Sequence, residues 1–115
     1  MFDVKIFDAN KHPIDHVLQY DKDWTIMIKL VPIQKTLRIT GDITVDFYNA
    51  KSTETILVAS TVENNFVTVM IPNELLEEPY DIGGYLYQKT DNGSKTIAVF
   101  SINLIPRLKR GEEQP

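Results

Sequence analysis

The sequence predicts an all-β protein built as a sandwich of two β-sheets. Apolar and polar residues alternate with a period of two, as where Phe2, Val4 and Ile6 are separated by Asp3 and Lys5. Turn-forming residues recur roughly every ten positions, the spacing expected between short strands. Long segments with helical periodicity are absent. About seven or eight strands arranged in this way are typical of a sandwich or a small barrel.

The composition is that of one globular domain. The chain has 115 residues, of which 43% are hydrophobic, and this is enough for a single core without disulfides. We expect the domain to cover residues 1–106, and a charged C-terminal tail to cover residues 107–115, where no alternation remains. There is no cysteine, so disulfides, thiolate metal sites and cysteine nucleophiles are excluded.

Charge and hydropathy argue against nucleic acid and membrane partners. The 16 acidic and 12 basic residues give a net charge of -4, whereas nucleic-acid-binding proteins concentrate cations. The one dense basic cluster, Arg107, Lys109 and Arg110, is followed at once by two glutamates and is typical of a solvated tail. The N-terminus lacks a signal-peptide pattern, and the apolar runs are too short to span a bilayer.

Four regions of the first half of the chain alternate as strands do. Residues 2–6 predict a first strand, and residues 14–18 favour a short second one. Residues 24–31 predict a third strand, which Pro32 ends because proline cannot donate a hydrogen bond to a neighbouring strand. Residues 37–47 keep one phase through a glycine, which predicts one long strand or two strands joined by a bend.

The middle of the chain predicts a hairpin. Residues 55–62 and 66–71 are separated by a Glu-Asn-Asn turn at 63–65, and asparagine tolerates the left-handed backbone of tight turns. Residues 66–71 are apolar on both faces. This favours a strand that is buried on both sides, or one that is flanked by a loop.

The last third predicts one helical turn and a second hairpin. Residues 72–79 are bounded by two prolines and are too short for more than about one helical turn. Residues 80–88 predict a strand with two tyrosines on one face. The Asp-Asn-Gly-Ser sequence at 91–94 predicts a turn, and residues 95–105 predict the last strand.

The proline-bounded turn before a tyrosine-bearing strand resembles the crossover at one end of immunoglobulin-like domains. This resemblance favours an immunoglobulin-like antiparallel β-sandwich over a barrel. In such domains a tyrosine hydroxyl fastens the corner. Tyr80, Tyr85 and Tyr87 are the candidates here, and their spacing does not choose among them.

No group of residues predicts catalysis, a cofactor or a bound metal. His12 and His16 are four positions apart, but on a strand this separates them by roughly 13 Å. The acidic residues between 74 and 81 lack the spacing of a calcium loop. The glycine pair at 83–84 has no phosphate-loop lysine and indicates a bulge or the close approach of another backbone. No G-x-S-x-G sequence is present, so we expect a protein that is not an enzyme.

Three aromatic residues form a possible binding surface. Trp24, Tyr85 and Tyr87 are the candidates, because aromatic rings stack on the apolar faces of sugars. Trp24 is in phase with Ile26 and Ile28, which predicts burial in the core instead. The two tyrosines lie on a strand that is expected to have one face toward water, so either outcome is open for them.

The last third also resembles a protein family. It carries Ile-Pro-Asn-Glu-Leu-Leu at 71–76 and Pro-Tyr-Asp-Ile-Gly-Gly-Tyr-Leu-Tyr at 79–87. Lys-Thr-Ile follows at 95–97, and Ile-Asn-Leu-Ile-Pro-Arg-Leu-Lys at 102–109. This order resembles the small β-domains of tailed-bacteriophage structural proteins, namely the N-terminal domain of baseplate upper proteins and of related fibre or appendage proteins. The rest of the chain is similar to them only in its strand pattern.

The resemblance implies a non-enzymatic virion structural protein, a baseplate, tail-fibre or appendage module for attachment or assembly. Its expected partners are other virion structural proteins, and its expected state is a homo-oligomer, a trimer or higher. Because the chain stops soon after the domain, it is expected to be either a small free-standing virion protein or an anchor domain alone. The alternative is a glycan-binding module that recognises a host cell-surface or cell-wall sugar through Trp24, Tyr85 or Tyr87.

Overall fold

The computed structural model describes residues 1–33, 39, 42–109 and 111, and it confirms the all-β class. The described residues form nine strands and one short helix. The elements are β1 (Phe2–Asp8), β2 (His16–Leu18), β3 (Thr25–Pro32), β4 (Ile43–Tyr48), β5 (Ile56–Ala59), β6 (Thr61–Glu63), β7 (Phe66–Met70), α1 (Asn73–Leu76), β8 (Ile82–Thr90) and β9 (Gly93–Ile105). Most of the predicted 37–47 strand before residue 42 lies outside the described residues.

The strands form two sheets. A four-stranded sheet has the order β1-β3-β7-β6, and a five-stranded sheet has the order β2-β9-β8-β4-β5. All pairs are antiparallel except β2 with β9, which run parallel from His16 opposite Asn103 to Leu18 opposite Ile105. This one pair departs from the predicted antiparallel sandwich. Alternation could not reveal it, because a period of two is the same for both pairing directions.

The core lies between the two sheets. Inward-facing residues of both sheets form one cluster of buried side chains, which includes Ile26 and Ile28 of β3, Val45 and Phe47 of β4 and Leu86 of β8. Outward-facing residues alternate with them along most of the long strands, as in β3, β4 and β7. This is the two-sheet arrangement that the alternation predicts, because each sheet buries one face against the other.

The predicted 55–62 strand is two strands in different sheets, so this part of the hairpin prediction is wrong. β5 pairs with β4 in the five-stranded sheet, and β6 pairs with β7 in the four-stranded sheet. The chain changes sheet at Ser60, whose hydroxyl donates a hydrogen bond of 2.6 Å to the Ile43 carbonyl. The turn itself is confirmed: Asn64 and Asn65 adopt φ values of 52° and 65°.

The strand β7 buries only one of its two apolar faces. Val67 and Val69 are buried, whereas Met70 is exposed and Phe66 is half-buried. The second alternative for this strand is therefore the correct one, since Lys11 from the loop after β1 lies over the Phe66 ring.

The corner between α1 and β8 is fastened by a carboxylate. The predicted helical turn is confirmed, with Leu75 and Leu76 buried beneath it. Asp81 then accepts a hydrogen bond of 2.9 Å from the backbone N–H of Leu104. Among the described residues no tyrosine hydroxyl takes this role, since Tyr80 is 39% exposed and the tyrosines of β8 face outward. The tyrosine prediction for this corner is therefore wrong.

The predicted turn at 91–94 joins β8 to β9, with Thr90 opposite Gly93. The pairing slips by one residue after Leu86, so that Leu86 lies opposite Ala98 and Tyr87 opposite Thr96. This bulge explains why two consecutive residues, Ile97 and Ala98, are both buried.

In the described part of the chain, no helix has the length and apolarity needed to cross a membrane.

Candidate interaction face

The two candidate tyrosines lie on the outer face of the five-stranded sheet. Ile82, Gly84 and Leu86 of β8 face the core, so the residues between them face away from the other sheet. Tyr85 and Tyr87 are therefore half-buried on the outer surface. Their strand, β8, is the central strand of this five-stranded sheet, with β9 on one side and β4 on the other. The tyrosines consequently occupy the interior of this face and not its edge.

A row of apolar side chains crosses this face at Tyr85. In the register of the sheet, Leu57 lies opposite Asp46, Asp46 opposite Tyr85, and Tyr85 opposite Val99. Leu57 is 65% exposed and Val99 is 43% exposed. Directly paired residues share a face of the sheet, so these four side chains form one strip across four strands. We call this strip, together with Tyr48 and Tyr87, the tyrosine face.

A third tyrosine completes the face. The Tyr48 ring stacks on Tyr85, with centroids 5.0 Å apart and planes 19° apart, and Tyr87 lies 6.3 Å from Tyr85. Tyr48 also covers Gly83, where an added Cβ would lie 2.5 Å from Tyr48 Cζ. The glycine pair was expected to mark a bulge or an approaching backbone. At Gly83 the approaching group is an aromatic ring instead.

The tyrosine face has little charge. Burial, together with the neighbouring Tyr85 hydroxyl, raises the pKa of Tyr48 above its usual range, so this phenol stays neutral at physiological pH. Asp46 is the one acidic residue in the strip. Its Oδ2 accepts a hydrogen bond of 3.1 Å from the Thr55 hydroxyl, while its Oδ1 is buried and has no partner among the described residues. The face therefore combines aromatic rings that carry hydroxyl groups, aliphatic groups and one carboxylate.

Trp24 does not belong to the tyrosine face. It precedes β3 of the four-stranded sheet, and its Nε1 donates a hydrogen bond of 2.9 Å to Asp21 Oδ2. The sequence predicts that Trp24 is buried in the core; in the structure it is partly buried and packs against the core, because it lies just before the strand begins. It lines an open groove of about 470 Å³ together with Asn10, Lys22 and Asp23. The three predicted site residues therefore lie in two places.

The two histidines each neighbour a single carboxylate. His12 Nδ1 lies 3.7 Å from Asp8, and His16 Nδ1 lies 2.7 Å from Asp15. The His12 backbone N–H donates to Asp8 and is the main cause that lowers the pKa of this carboxyl. No group of three or more possible metal ligands converges within the residues that the structure describes.

The acidic residues near α1 have structural contacts. Glu78 accepts a hydrogen bond of 3.0 Å from Asn49 Nδ2 and lies 3.3 Å from Lys51 Nζ. The Asn49 hydrogen bond, followed by the lysine contacts, lowers the pKa of Glu78. Asn49 itself is 4% exposed and organises the turn after β4, where it accepts from the backbone N–H of Lys51. These contacts hold the turn to the end of the helix.

Tyr48 and Leu57 are not among the site residues that the sequence predicts. Tyr48 is in phase with Thr44 and Asp46, and this alternation was a usable sign that it faces outward. The outward direction of Leu57 could not be predicted in this way, because the sequence predicts that its segment pairs with residues 66–71, whereas β5 pairs with β4.

Comparison with known proteins identifies no relative: neither a family model nor a curated protein matches this chain. The similarity of residues 71–109 to bacteriophage domains stays a prediction.

Proposed function

We propose that this chain is a non-catalytic, immunoglobulin-like structural module of a bacteriophage virion, which acts through protein–protein contacts. Its partners are other virion structural proteins and further copies of itself, in a trimer or a larger assembly. The bacteriophage part of this proposal rests on the resemblance of residues 71–109. The mode of action rests on one observation of the molecule, the exposed tyrosine face.

The strand order supports the immunoglobulin-like part of the proposal. In immunoglobulin domains one sheet has the strand order A-B-E-D and the other contains G, F and C, with C′ added in variable types. Here β1-β3-β7-β6 corresponds to the first sheet, and β9-β8-β4-β5 corresponds to G-F-C-C′. The short β2 adds to this second sheet beside β9. The chain crosses from C′ to D at Ser60, where the variable-type order requires a change of sheet.

The tyrosine face supports protein contacts because it exposes large apolar groups at the centre of a rigid sheet. Aromatic residues are enriched in protein interfaces, where they bury a large area with few rotatable bonds. A stable interface takes about 800 Å² from each partner, which exceeds the strip alone and would include residues around it.

Two charged substitutions on the tyrosine face test the proposal. We expect the purified chain to form a trimer or larger oligomer, and the double variant Leu57→Asp, Val99→Asp to be monomeric, because buried carboxylates without partners oppose association. The matched control is Val62→Asp, Met70→Asp, which changes two residues of similar chemistry that are 39% and 47% exposed and belong to the other sheet.

The measurement is the solution mass by light scattering over a concentration series, with circular dichroism to verify that each variant is folded. A wild-type chain that is monomeric at every concentration contradicts self-assembly. If the two double variants dissociate equally, the proposal that the oligomer forms through the tyrosine face is contradicted.

The groove at Trp24 favours glycan binding as a second candidate function. A partly exposed indole held by Asp21 lies beside the side chains of other polar residues, which is the composition of a sugar site. Because Trp24 is the only tryptophan, its fluorescence reports directly on this groove. Titration with N-acetylglucosamine and methyl glucoside should shift the emission, and Asn10→Ala should weaken the shift. An unchanged spectrum at about 100 mM sugar, where even weak sites are occupied, contradicts this candidate.

A further inference from the structure

Lysines converge on the outer face of the four-stranded sheet, the side of the molecule opposite the tyrosine face. Lys5 of β1 lies directly opposite Lys29 of β3, and both side chains are exposed. Like charges in directly opposed positions destabilise a sheet, because their Cβ atoms are only about 5 Å apart. The chain has a net charge of -4, so this pairing does not follow from a general excess of cations.

A third lysine comes from the loop after β1. Lys11 Nζ lies 5.3 Å from the centre of the Phe66 ring, and Lys29 Nζ lies 5.9 Å from the same centre. The loop is held in place by Asp8, whose Oδ1 accepts the backbone N–H groups of Asn10 and His12. Phe66 thus gathers two ammonium groups over one ring, and Lys5 adds a third beside them.

None of these three lysines takes part in an ion pair among the described residues. Two acidic residues share this face. Asp3 lies two residues before Lys5 on β1, and Glu63 lies directly opposite Phe66. Both carboxylates lie beyond ion-pair distance of the lysines, since the ion pairs found in the described part of the chain involve other residues. Among the described residues, no carboxylate therefore pairs directly with the cluster, although Asp3 and Glu63 lie on the same face.

A groove with a mixed lining borders the lysines. It has a volume of about 410 Å³; its apolar part consists of Met27, Val62 and Phe66, and its polar part consists of Lys11, Glu63, Asn64 and two threonines. A ligand that fills this groove meets aliphatic and aromatic surface on one side and ammonium groups on the other. An extended peptide meets both requirements, because its successive side chains point in opposite directions and alternate ones are about 6.7 Å apart.

We propose that the Lys5, Lys11 and Lys29 cluster binds an extended acidic segment of a partner protein, with carboxylates on the lysines and small apolar side chains in the adjacent groove. This goes beyond the proposed function, because it concerns the opposite sheet and a partner chosen by charge. A nucleic acid or polyphosphate fits less well. Two lysines already occupy the space over the Phe66 ring, which leaves no open ring face for a base, and the Glu63 carboxylate in the groove repels a continuous phosphate chain.

Binding of a synthetic acidic peptide tests the proposal. The probe is an acetylated hexapeptide of alternating glutamate and alanine, titrated by calorimetry, with the same peptide carrying glutamine for glutamate as its uncharged counterpart. We expect the acidic peptide to bind and Lys5→Gln, Lys29→Gln to weaken it about tenfold, the effect of losing two partly screened charge pairs. The matched control Lys89→Gln, Lys95→Gln removes two exposed lysines of the other sheet and should leave binding unchanged.

A second readout does not depend on binding. In the absence of peptide, Lys5→Gln should raise the melting temperature, since it removes repulsion between opposed lysines, while Lys89→Gln should not. Equal binding of the uncharged peptide, or equal loss in the two double variants, overturns the proposal. Binding of inorganic polyphosphate with no binding of the acidic peptide replaces it with a phosphate site.

Discussion

Replacement of Gly84 by alanine is expected to destabilise the protein by about 3 kcal/mol, the upper part of the range for an overpacked core. Gly84 is buried on β8, and a Cβ there would lie 2.5 Å from Phe100 Cζ and closer still to Cε1. The Phe100 ring has no free side to move into, because it is buried and packs edge-on against Phe47, with centroids 5.8 Å apart. The gain from a less flexible unfolded chain is smaller, roughly 0.4–1 kcal/mol.

Gly83 provides the matched control, since it is the adjacent residue and faces the opposite side of the sheet. A Cβ at Gly83 meets Tyr48, whose ring lies on the outer surface and can swing away from the sheet. We therefore expect Gly83→Ala to cost about 1 kcal/mol, within the range for a clash that can relax. The measurement is urea unfolding followed by the fluorescence of Trp24.

A double-mutant cycle isolates the cause of the Gly84 effect. Phe100→Leu shortens the side chain and makes room for the new methyl group, so Gly84→Ala should cost at least about 1 kcal/mol less in that background. An equal cost in both backgrounds would show that the ring contact is not responsible. An equal cost for Gly83→Ala and Gly84→Ala would show that the two faces of β8 do not differ as described.

Elements that depend on local alternation could be predicted from the sequence. The inward-facing Ile26 and Ile28, the turn at Asn64 and Asn65, and the helical turn bounded by prolines needed no information from distant residues. The change of sheet at Ser60 could not be predicted in this way. The alternation continues through it, and a period of two does not record which sheet a residue belongs to.

Only part of the candidate site could be predicted from alternation along the strands. The outward direction of Tyr85 and Tyr87 follows from their phase on β8, but their neighbours depend on the pairing register. Tyr48 and Leu57 reach the same face only through β4 and β5. Trp24 was grouped with the tyrosines by residue type, and the fold places it beside the other sheet.

The lysine cluster could not be predicted from the sequence at all, because it depends on which strands pair and in which register. Lys5, Lys11 and Lys29 are spread over the first third of the chain; Lys5 and Lys29 alternate with apolar residues in an ordinary way, and Lys11 lies in the loop before Pro13. Nothing in their spacing indicates that Lys5 and Lys29 are directly opposed. Their electrostatic cost exists only in the folded sheet, so it becomes visible only from the register of β1 with β3.

Substitution of Gln19 by alanine is expected to destabilise the protein by about 2 kcal/mol, because it leaves several polar groups without partners. Gln19 is only 6% exposed. Its Nε2 donates to the Glu77 carbonyl over 3.0 Å, and its Oε1 accepts the backbone N–H of Arg107. The Arg107 guanidinium in turn donates to the Gln19 carbonyl and to Asp21. Gln19 thus joins the end of α1 to the residue at which the charged tail was expected to begin.

Two further variants separate the side-chain contacts of Gln19 from those of the Arg107 guanidinium. Gln19→Glu keeps an acceptor for the Arg107 backbone N–H and loses the donor for Glu77. Arg107→Ala keeps that backbone N–H and removes the guanidinium hydrogen bonds to the Gln19 carbonyl and to Asp21. Urea unfolding should give each variant a smaller loss than Gln19→Ala. If Arg107→Ala leaves the free energy of unfolding unchanged, the Arg107 side chain does not stabilise the domain and residue 107 is part of the tail. If it costs about 1 kcal/mol or more, the value of a typical hydrogen bond, the folded domain extends at least to Arg107.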